Sequence, residues 1–385
     1  MCFIKSKTLL RMNFFSKRRI VILPCICFSA LLFLLAYLNL RFLESDLTLF
    51  ERVQDATSEP LAYKCCTPMN NSIRTNVFFI KTHKTGGTTV KNVIIRFALL
   101  NSLDILGVRY DYSYNSPFSD WSIRSGKKTP NNKYNVLATH ARYDPRMRLY
   151  QYPDTSMVTI LRHPVPLFQS LYTYFRLDKI TGISFQQLLN MPVKPEPLTD
   201  FHGKKAYRGY NQVSVDLGFD WTQSKNKTAV AEFIARIDRE FDLVMITEYM
   251  DESFVLLANL MGWPLEYVAS LMLNVMLPES NPYILTPQDK LTIMDLNQVD
   301  MQLYNHFLQK FLKCKRQYGE ERLNRQVQQL RIMNNNLKER CVGEEVTIYN
   351  QVDVQRLGYL PKNESDMVCV YSMQLFSDRT SPYNP

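Results

Sequence analysis

The 385-residue chain lacks the cysteine and histidine spacing of a metal site, and its adjacent Cys65-Cys66 is too tight for a zinc pair. It has no interleaved basic and aromatic tract, which argues against nucleic acid as a partner. It has no internal repeats and no sustained heptads, so neither a repeat array nor a coiled coil is expected. Acidic residues are missing from the first nineteen positions, where Lys5, Lys7, Arg11, Lys17, Arg18 and Arg19 hold six of the ten net positive charges. The remainder carries +10 − 6 = +4, a mild excess that suits a small anionic ligand. The 46% hydrophobic and 21% charged content is that of a globular chain with ample core material.

Charge is also missing from Ile20 to Leu40, a run of 21 residues. As a helix this spans about 31 Å, enough for a bilayer core. Lys17-Arg18-Arg19 precede the run and only Arg41 follows closely, so the positive-inside rule puts the N-terminus in the cytosol. A cleaved signal peptide would have a shorter apolar region ending at a small-x-small site. The run ends Tyr37-Leu-Asn-Leu40, which favours an uncleaved anchor. The expected layout is a cytoplasmic tail (1–19), a transmembrane signal anchor (20–40), a stem (41–74), a luminal domain (75–375) and a C-terminal tail (376–385). Sequons at Asn70, Asn226 and Asn363 agree with a luminal, glycosylated domain. So do Cys65, Cys66, Cys314, Cys341 and Cys369, which an oxidising lumen allows to pair; their odd number and the spacing leave the pairing open.

The stretch that organises the chain is Asn76-Val-Phe-Phe-Ile-Lys-Thr-His-Lys-Thr-Gly-Gly-Thr-Thr-Val90. Val77 to Ile80 read as a buried strand. Val90, Val93, Ile94 and Phe97 give one face of a helix. A strand, a tight turn and a helix start aim backbone N–H groups at an anion, with the positive end of the helix dipole behind them. Gly86 and Gly87 allow close backbone approach, Thr85, Thr88 and Thr89 offer hydroxyls, and Lys84 offers a charge. The stretch therefore reads as a phosphate cradle. It is not the nucleotide-hydrolase loop, because the lysine precedes the glycines.

Further strands and helices follow in the order an α/β domain needs. Tyr134 to His140 read as a short strand that ends in a histidine, where a base can face a ligand. Ser156 to Leu161 read as another strand, ended by Arg162-His-Pro164. Pro164 and Pro166 suit the first turn of a helix whose apolar face is Phe168, Leu171, Tyr172 and Phe175. Arg162 at the strand end and Ser170, off that apolar face, can converge on one phosphate. Residues 178–230 read as irregular, and Arg208, Asn211 and Gln212 there are candidates for sugar hydroxyls. Phe241 to Tyr249 read as a buried strand, with Asp251 capping the next helix and residues 288–340 helix-rich. Leu323, Val327, Leu330 and Leu337 give the last of these helices an apolar stripe to pack on the domain. His163 and His202 receive no role.

The Lys84-Thr-Gly-x-Thr order resembles the 5′-phosphosulfate loop of sulfotransferases that use 3′-phosphoadenosine 5′-phosphosulfate (PAPS). Lys81-Thr-His-Lys-Thr, Asp216-Leu-Gly218, Glu248-Tyr-x-Asp-Glu-Ser253 and Gly358-Tyr359 resemble the galactose-3-O-sulfotransferase family of the Golgi, galactosylceramide sulfotransferase-like. The resemblance runs from about residue 75 to about 375 and departs at Gly86-Gly87, where the mammalian-type loop has small non-glycine residues. That change is expected to loosen the turn. The resemblance implies a parallel sheet flanked by helices with a P-loop nucleotide-kinase-like core. It implies PAPS as co-substrate without a metal, Lys84 and His140 as catalytic residues, and Arg162 with Ser170 at the 3′-phosphate. The implied acceptor is the galactose 3-hydroxyl of a glycolipid or glycoprotein glycan, at the Golgi membrane. Two rival readings stand beside it: a sulfotransferase for another glycan, such as a glycosaminoglycan uronic acid, and a non-catalytic glycan-binding protein on the same fold. The lysine's position and the want of a magnesium carboxylate argue against a luminal kinase. The sequence leaves a homo-oligomer open.

Overall fold

The computed structural model describes residues 72–108, 118, 123, 129–197, 207–277, 283–350 and 353–374. The cytoplasmic tail, the 20–40 anchor, nearly all of the stem, Asn70, Cys65, Cys66, His202 and the C-terminal tail lie outside the described residues. No helix among the described residues is long and apolar enough to cross a membrane.

The core is a four-stranded sheet of β1 (Val77–Ile80), β2 (Val136–Thr139), β3 (Ser156–Leu161) and β4 (Leu243–Ile246). Its spatial order is β2-β1-β3-β4 and every pair is parallel. The parallel sheet flanked by helices is therefore as expected. Every residue of the four strands is buried, as in a sheet covered on both faces, and that explains why the strands read as apolar runs instead of alternating patterns.

Helix α1 (Gly87–Leu100) follows β1 directly. It buries even its polar residues: Arg96 donates to the Ser372 hydroxyl at 2.8 Å and to the Tyr267 and Ala269 carbonyls. Burial pushes the Arg96 pKa down to about 10. Asn92 donates to the carbonyls of Tyr371 and Gln374, which docks the C-terminal segment on the same helix. Helix α2 (Pro164–Tyr174) follows β3 with proline in its first turn, and its Phe168, Leu171 and Tyr172 pack with Phe185, Leu188 and Ile293 in a second apolar cluster.

Three sequence expectations need correction. Residues 178–230 are not irregular: the described part holds helices at Leu177–Thr181, Phe185–Asn190, Gln212–Asp216 and the start of Lys227–Glu240. Most are too short to show a helical period. The strand expected from Phe241 to Tyr249 is only Leu243–Ile246, because Thr247–Tyr249 turn into a 3-10 helix. Asp251 lies within the first turn of helix Met250–Met261 and accepts from Arg331 at 2.7 Å, so it caps nothing. Helices at Pro287–Leu296, Gln298–Tyr318 and Glu320–Cys341 fill the region expected to be helical, and Leu323, Val327 and Leu330 of the last are buried.

After these helices comes an antiparallel hairpin, β5 (Val342–Tyr349) and β6 (Gln355–Pro361). A disulfide joins Cys341 to Cys369, which settles one pair the sequence left open.

Candidate active site

In a parallel sheet the strands end on one edge, and all four ends here carry polar residues that meet. The cradle leaves β1 at Lys81. Lys84 and Gly86 take left-handed backbone conformations, with φ of 59° and 74°, and these bend the loop into the start of α1. A Cβ on Gly86 would also stand 2.8 Å from the Met250 Cε. The glycine pair thus fits a turn pressed against its neighbours, and at Gly86 it satisfies a conformation that other residues resist. The expected loosening is not what the geometry favours.

The loop is fastened to its neighbours by its own backbone. Arg162, just past β3, donates Nη1 to the Lys84 carbonyl at 3.0 Å. Thr247, just past β4, donates its hydroxyl toward the carbonyls of Thr85 (2.7 Å) and Leu161 (2.8 Å). Thr85 is fully buried and its hydroxyl stays inside, 2.9 Å from that of Thr82, so any contact it makes with a ligand runs through its N–H. Thr88 accepts from the Asn274 side chain and Thr89 from the Leu273 N–H, both at 3.3 Å.

Lys84 holds its ammonium 3.4 Å over the Tyr174 ring. Burial pushes its pKa well below the usual lysine value, and the charges of Arg162, Lys81 and Arg356 push it further. Burial lowers Arg162 too, with Glu248 opposing. This concentration of cations raises the affinity of the strand ends for an anion. Ser170 lies on α2, the helix that follows Arg162, and is 8% exposed.

His140 comes directly after β2. Its Nδ1 lies 3.0 Å from the Lys81 carbonyl. A carbonyl only accepts, so Nδ1 carries the proton and the lone pair falls on Nε2. Its ring stacks on that of His83, centroids 4.2 Å apart. His83 is itself fixed: its Nδ1 lies 2.8 Å and 2.9 Å from the two Asp216 oxygens, and its backbone N–H donates to the same carboxylate at 2.7 Å. Asp216 is buried, which raises its pKa to about 7 against the hydrogen bonds of His83 and Gln212 and the charges of Arg208 and Arg142. Sequence reasoning named His83 only as a letter in a motif. The signal it passed over is that two family-like segments, Thr82-His-Lys and Asp216-Leu-Gly, each hold one half of a hydrogen-bonded pair.

The sugar-binding candidates resolve differently. Asn211 is buried and accepts from the N–H groups of Val299 and Asp300, so it caps the helix Gln298–Tyr318. Gln212 is fully buried and donates to Asp216 at 3.0 Å. Both are structural, and their polarity serves the interior. Arg208 lies over the Phe175 ring at 4.5 Å, next to His83. Of the sequons, Asn226 and Asn363 are exposed, and Asn226 also caps the helix Lys227–Glu240. No group of three His, Cys, Asp or Glu among the described residues is placed to hold a metal ion.

The galactose-3-O-sulfotransferase family profile matches residues 5–375. The chain belongs to that family. Galactose-3-O-sulfotransferase 3 of Homo sapiens is 31% identical over 296 residues, which are 73% of this chain and 67% of that one. Galactose-3-O-sulfotransferase 2 of Sus scrofa is 31% identical over 280 residues, 70% of this chain and 69% of its own. Galactosylceramide sulfotransferase of Mus musculus is 28% identical over 346 residues, 85% and 79% of the two chains. The sulfotransferase family implies PAPS as the sulfate donor.

Proposed function

We propose that this protein transfers a sulfuryl group from PAPS to the 3-hydroxyl of a terminal galactose, on a glycolipid such as galactosylceramide or on a glycoprotein glycan. It does so as a type II protein of the Golgi membrane with its active domain in the lumen. One observation carries the reading: Lys84, Arg162 and His140, from three different strand ends, stand around one cradle loop. Family membership and the names of its relatives support the chemistry and the acceptor class.

The residues fit the donor. The N–H groups at the start of α1 and the Lys84 ammonium are suited to the 5′-phosphosulfate, and Arg162 with Ser170 to the 3′-phosphate. PAPS supplies an activated sulfuryl group when bound. His140 takes the proton of the acceptor hydroxyl at Nε2, so that its oxygen can form the new bond to sulfur. As the bond from sulfur to the 5′-phosphate oxygen breaks, Lys84 and the loop N–H groups meet the charge that gathers on that oxygen. His83, pinned by Asp216, holds the His140 ring in place from behind. A second reading gives the base role to His83, because a carboxylate on Nδ1 favours the charged imidazole.

The test is transfer of radiolabelled sulfate from PAPS to an array of galactosyl acceptors, with linkage analysis of the product. Label on the galactose 3-oxygen is expected. Label confined to uronic acid would move the acceptor to a glycosaminoglycan. Tight binding of 3′-phosphoadenosine 5′-phosphate without any transfer would identify a non-catalytic glycan-binding protein.

A further inference from the structure

The C-terminal hairpin reaches back to the cradle, and one of its arginines stands beside the Lys84 ammonium. Arg356 is the second residue of β6, after Gln355. Its Cζ lies 6.0 Å from the Tyr174 ring, the ring that also carries the Lys84 ammonium. It donates through Nη1 to the Asn274 side chain and through Nη2 to the Tyr349 carbonyl at 2.9 Å. Asn274 in turn donates to Thr88 of the cradle at 3.3 Å. Arg356 Nε is buried and has no hydrogen-bond partner among the described residues.

The hairpin is fixed at several points, so this placement is built. Leu277 donates to the Gln355 carbonyl at 3.1 Å and Leu357 to the Val275 carbonyl at 2.8 Å. The Asn350 side chain donates to the Tyr174 carbonyl at 3.0 Å, which ties the end of the hairpin to the end of α2. Cys341 and Cys369 close a disulfide around the whole hairpin. The charge of the Arg356 guanidinium, with those of Arg162 and Lys81, disfavours the buried ammonium of Lys84. A buried donor without a partner costs free energy as well. An anion beside the ammonium and the guanidinium reverses the first of these costs.

We propose that Arg356 is a donor-binding residue, delivered by the disulfide-closed hairpin to the phosphosulfate end of the nucleotide beside Lys84. This rests on the PAPS reading above. The sulfuryl donor would then be held from two sides of the chain: by the cradle at residues 84–89 and by a segment about 270 residues later, the separation of Arg356 from the loop.

Calorimetric titration of the purified full chain tests it, with two probes. The first is 3′-phosphoadenosine 5′-phosphate, and the second is adenosine 3′-phosphate, which lacks the 5′ group. For Arg356→Gln, binding of the first should weaken roughly tenfold to a hundredfold, the loss of one charge-assisted hydrogen bond. Binding of the second should not change. Arg356→Lys should recover part of the loss. Equal weakening for both probes would make Arg356 a structural support of the hairpin and overturn the proposal. So would unchanged binding of the first probe. If the unmodified chain binds neither probe, the donor reading itself falls, an outcome distinct from either of these.

Discussion

The imidazoles of His83 and His140 stack with their planes 20° from parallel, although they come from different strand ends, and His83 is held by Asp216. The sheet order makes this possible: β2 lies beside β1, so the residues following both emerge side by side. The pair divides into a ring fixed by a carboxylate and a ring fixed by a carbonyl. The second is partly exposed while His83 is only 4% exposed, which is why the acceptor's proton is assigned to His140.

That assignment predicts different losses. His140→Ala should lower turnover by about 10²–10⁴ and leave donor binding intact. His83→Ala should lower turnover less, and the acidic limb of its pH–rate profile should persist. A limb that survives in His140→Ala but vanishes in His83→Ala would transfer the base role to His83.

Lys84 predicts an alkaline limit. Burial and the neighbouring cations lower its pKa, so the free chain loses this charge at a lower pH than an ordinary lysine does. The value of kcat/KM for PAPS should fall on the alkaline side as Lys84 deprotonates. Lys84→Arg should move that fall to higher pH, whereas Lys84→Ala should cut turnover by about 10²–10³ throughout. An alkaline limb that stays in place in Lys84→Arg would show that another group sets it.

Much of this was legible in the sequence, for definite reasons. β1 and β3 were read with correct bounds because both faces of each are buried, so an apolar run of strand length has no other use. The cradle was legible because strand, turn and helix are contiguous. The His83–Asp216 pair was not, because its halves lie 133 residues apart and only the tertiary fold joins them. Asn211 and Gln212 misled because polarity looks alike in a ligand-binding loop and in a buried cap. The hairpin that carries Arg356 went unread, although Val346 and Ile348 alternate with more exposed neighbours as an edge ribbon requires.

Gly86→Ala should destabilise the chain by about 1–2 kcal/mol, through a left-handed φ that a Cβ penalises. The Met250 Cε adds contact but is flexible. Met250→Ala in the same chain should therefore restore only part of the loss in thermal denaturation. Full restoration would make the methionine contact, and not the backbone, the reason for glycine.

Asp300 predicts a stability that falls as pH rises. Burial lifts its pKa to about 6, against the hydrogen bonds it accepts from Ser214 and Val213. The unfolded chain releases that proton near pH 3.9. Between these values the folded state holds more protons, so this group's contribution is fully present below pH 3.9 and is lost as pH rises through about 6. Asp300→Asn should flatten the pH dependence of urea denaturation across this window by on the order of 1–3 kcal/mol. An unaltered slope would mean that the carboxyl titrates normally.

The disulfide predicts a local effect on the donor site. Cys341 ends the long helix and Cys369 sits in the C-terminal helix, so the bond encloses the hairpin between them. Both sulfur residues pack with Leu271 and Leu273, in the segment that leads to Asn274. Opening a loop of this size costs about 3–4 kcal/mol in the chain-entropy account. The parallel sheet and α1 have their own core and should survive. Chains carrying both Cys341→Ser and Cys369→Ser should show faster amide exchange in β5 and β6, but not in β1 or β3. The weakening of 3′-phosphoadenosine 5′-phosphate binding should match that of Arg356→Gln, and adding Arg356→Gln to the double serine chain should weaken it little further, because both changes remove the same contact. Independent, additive losses would show that the clasp and the arginine serve the donor site by separate routes.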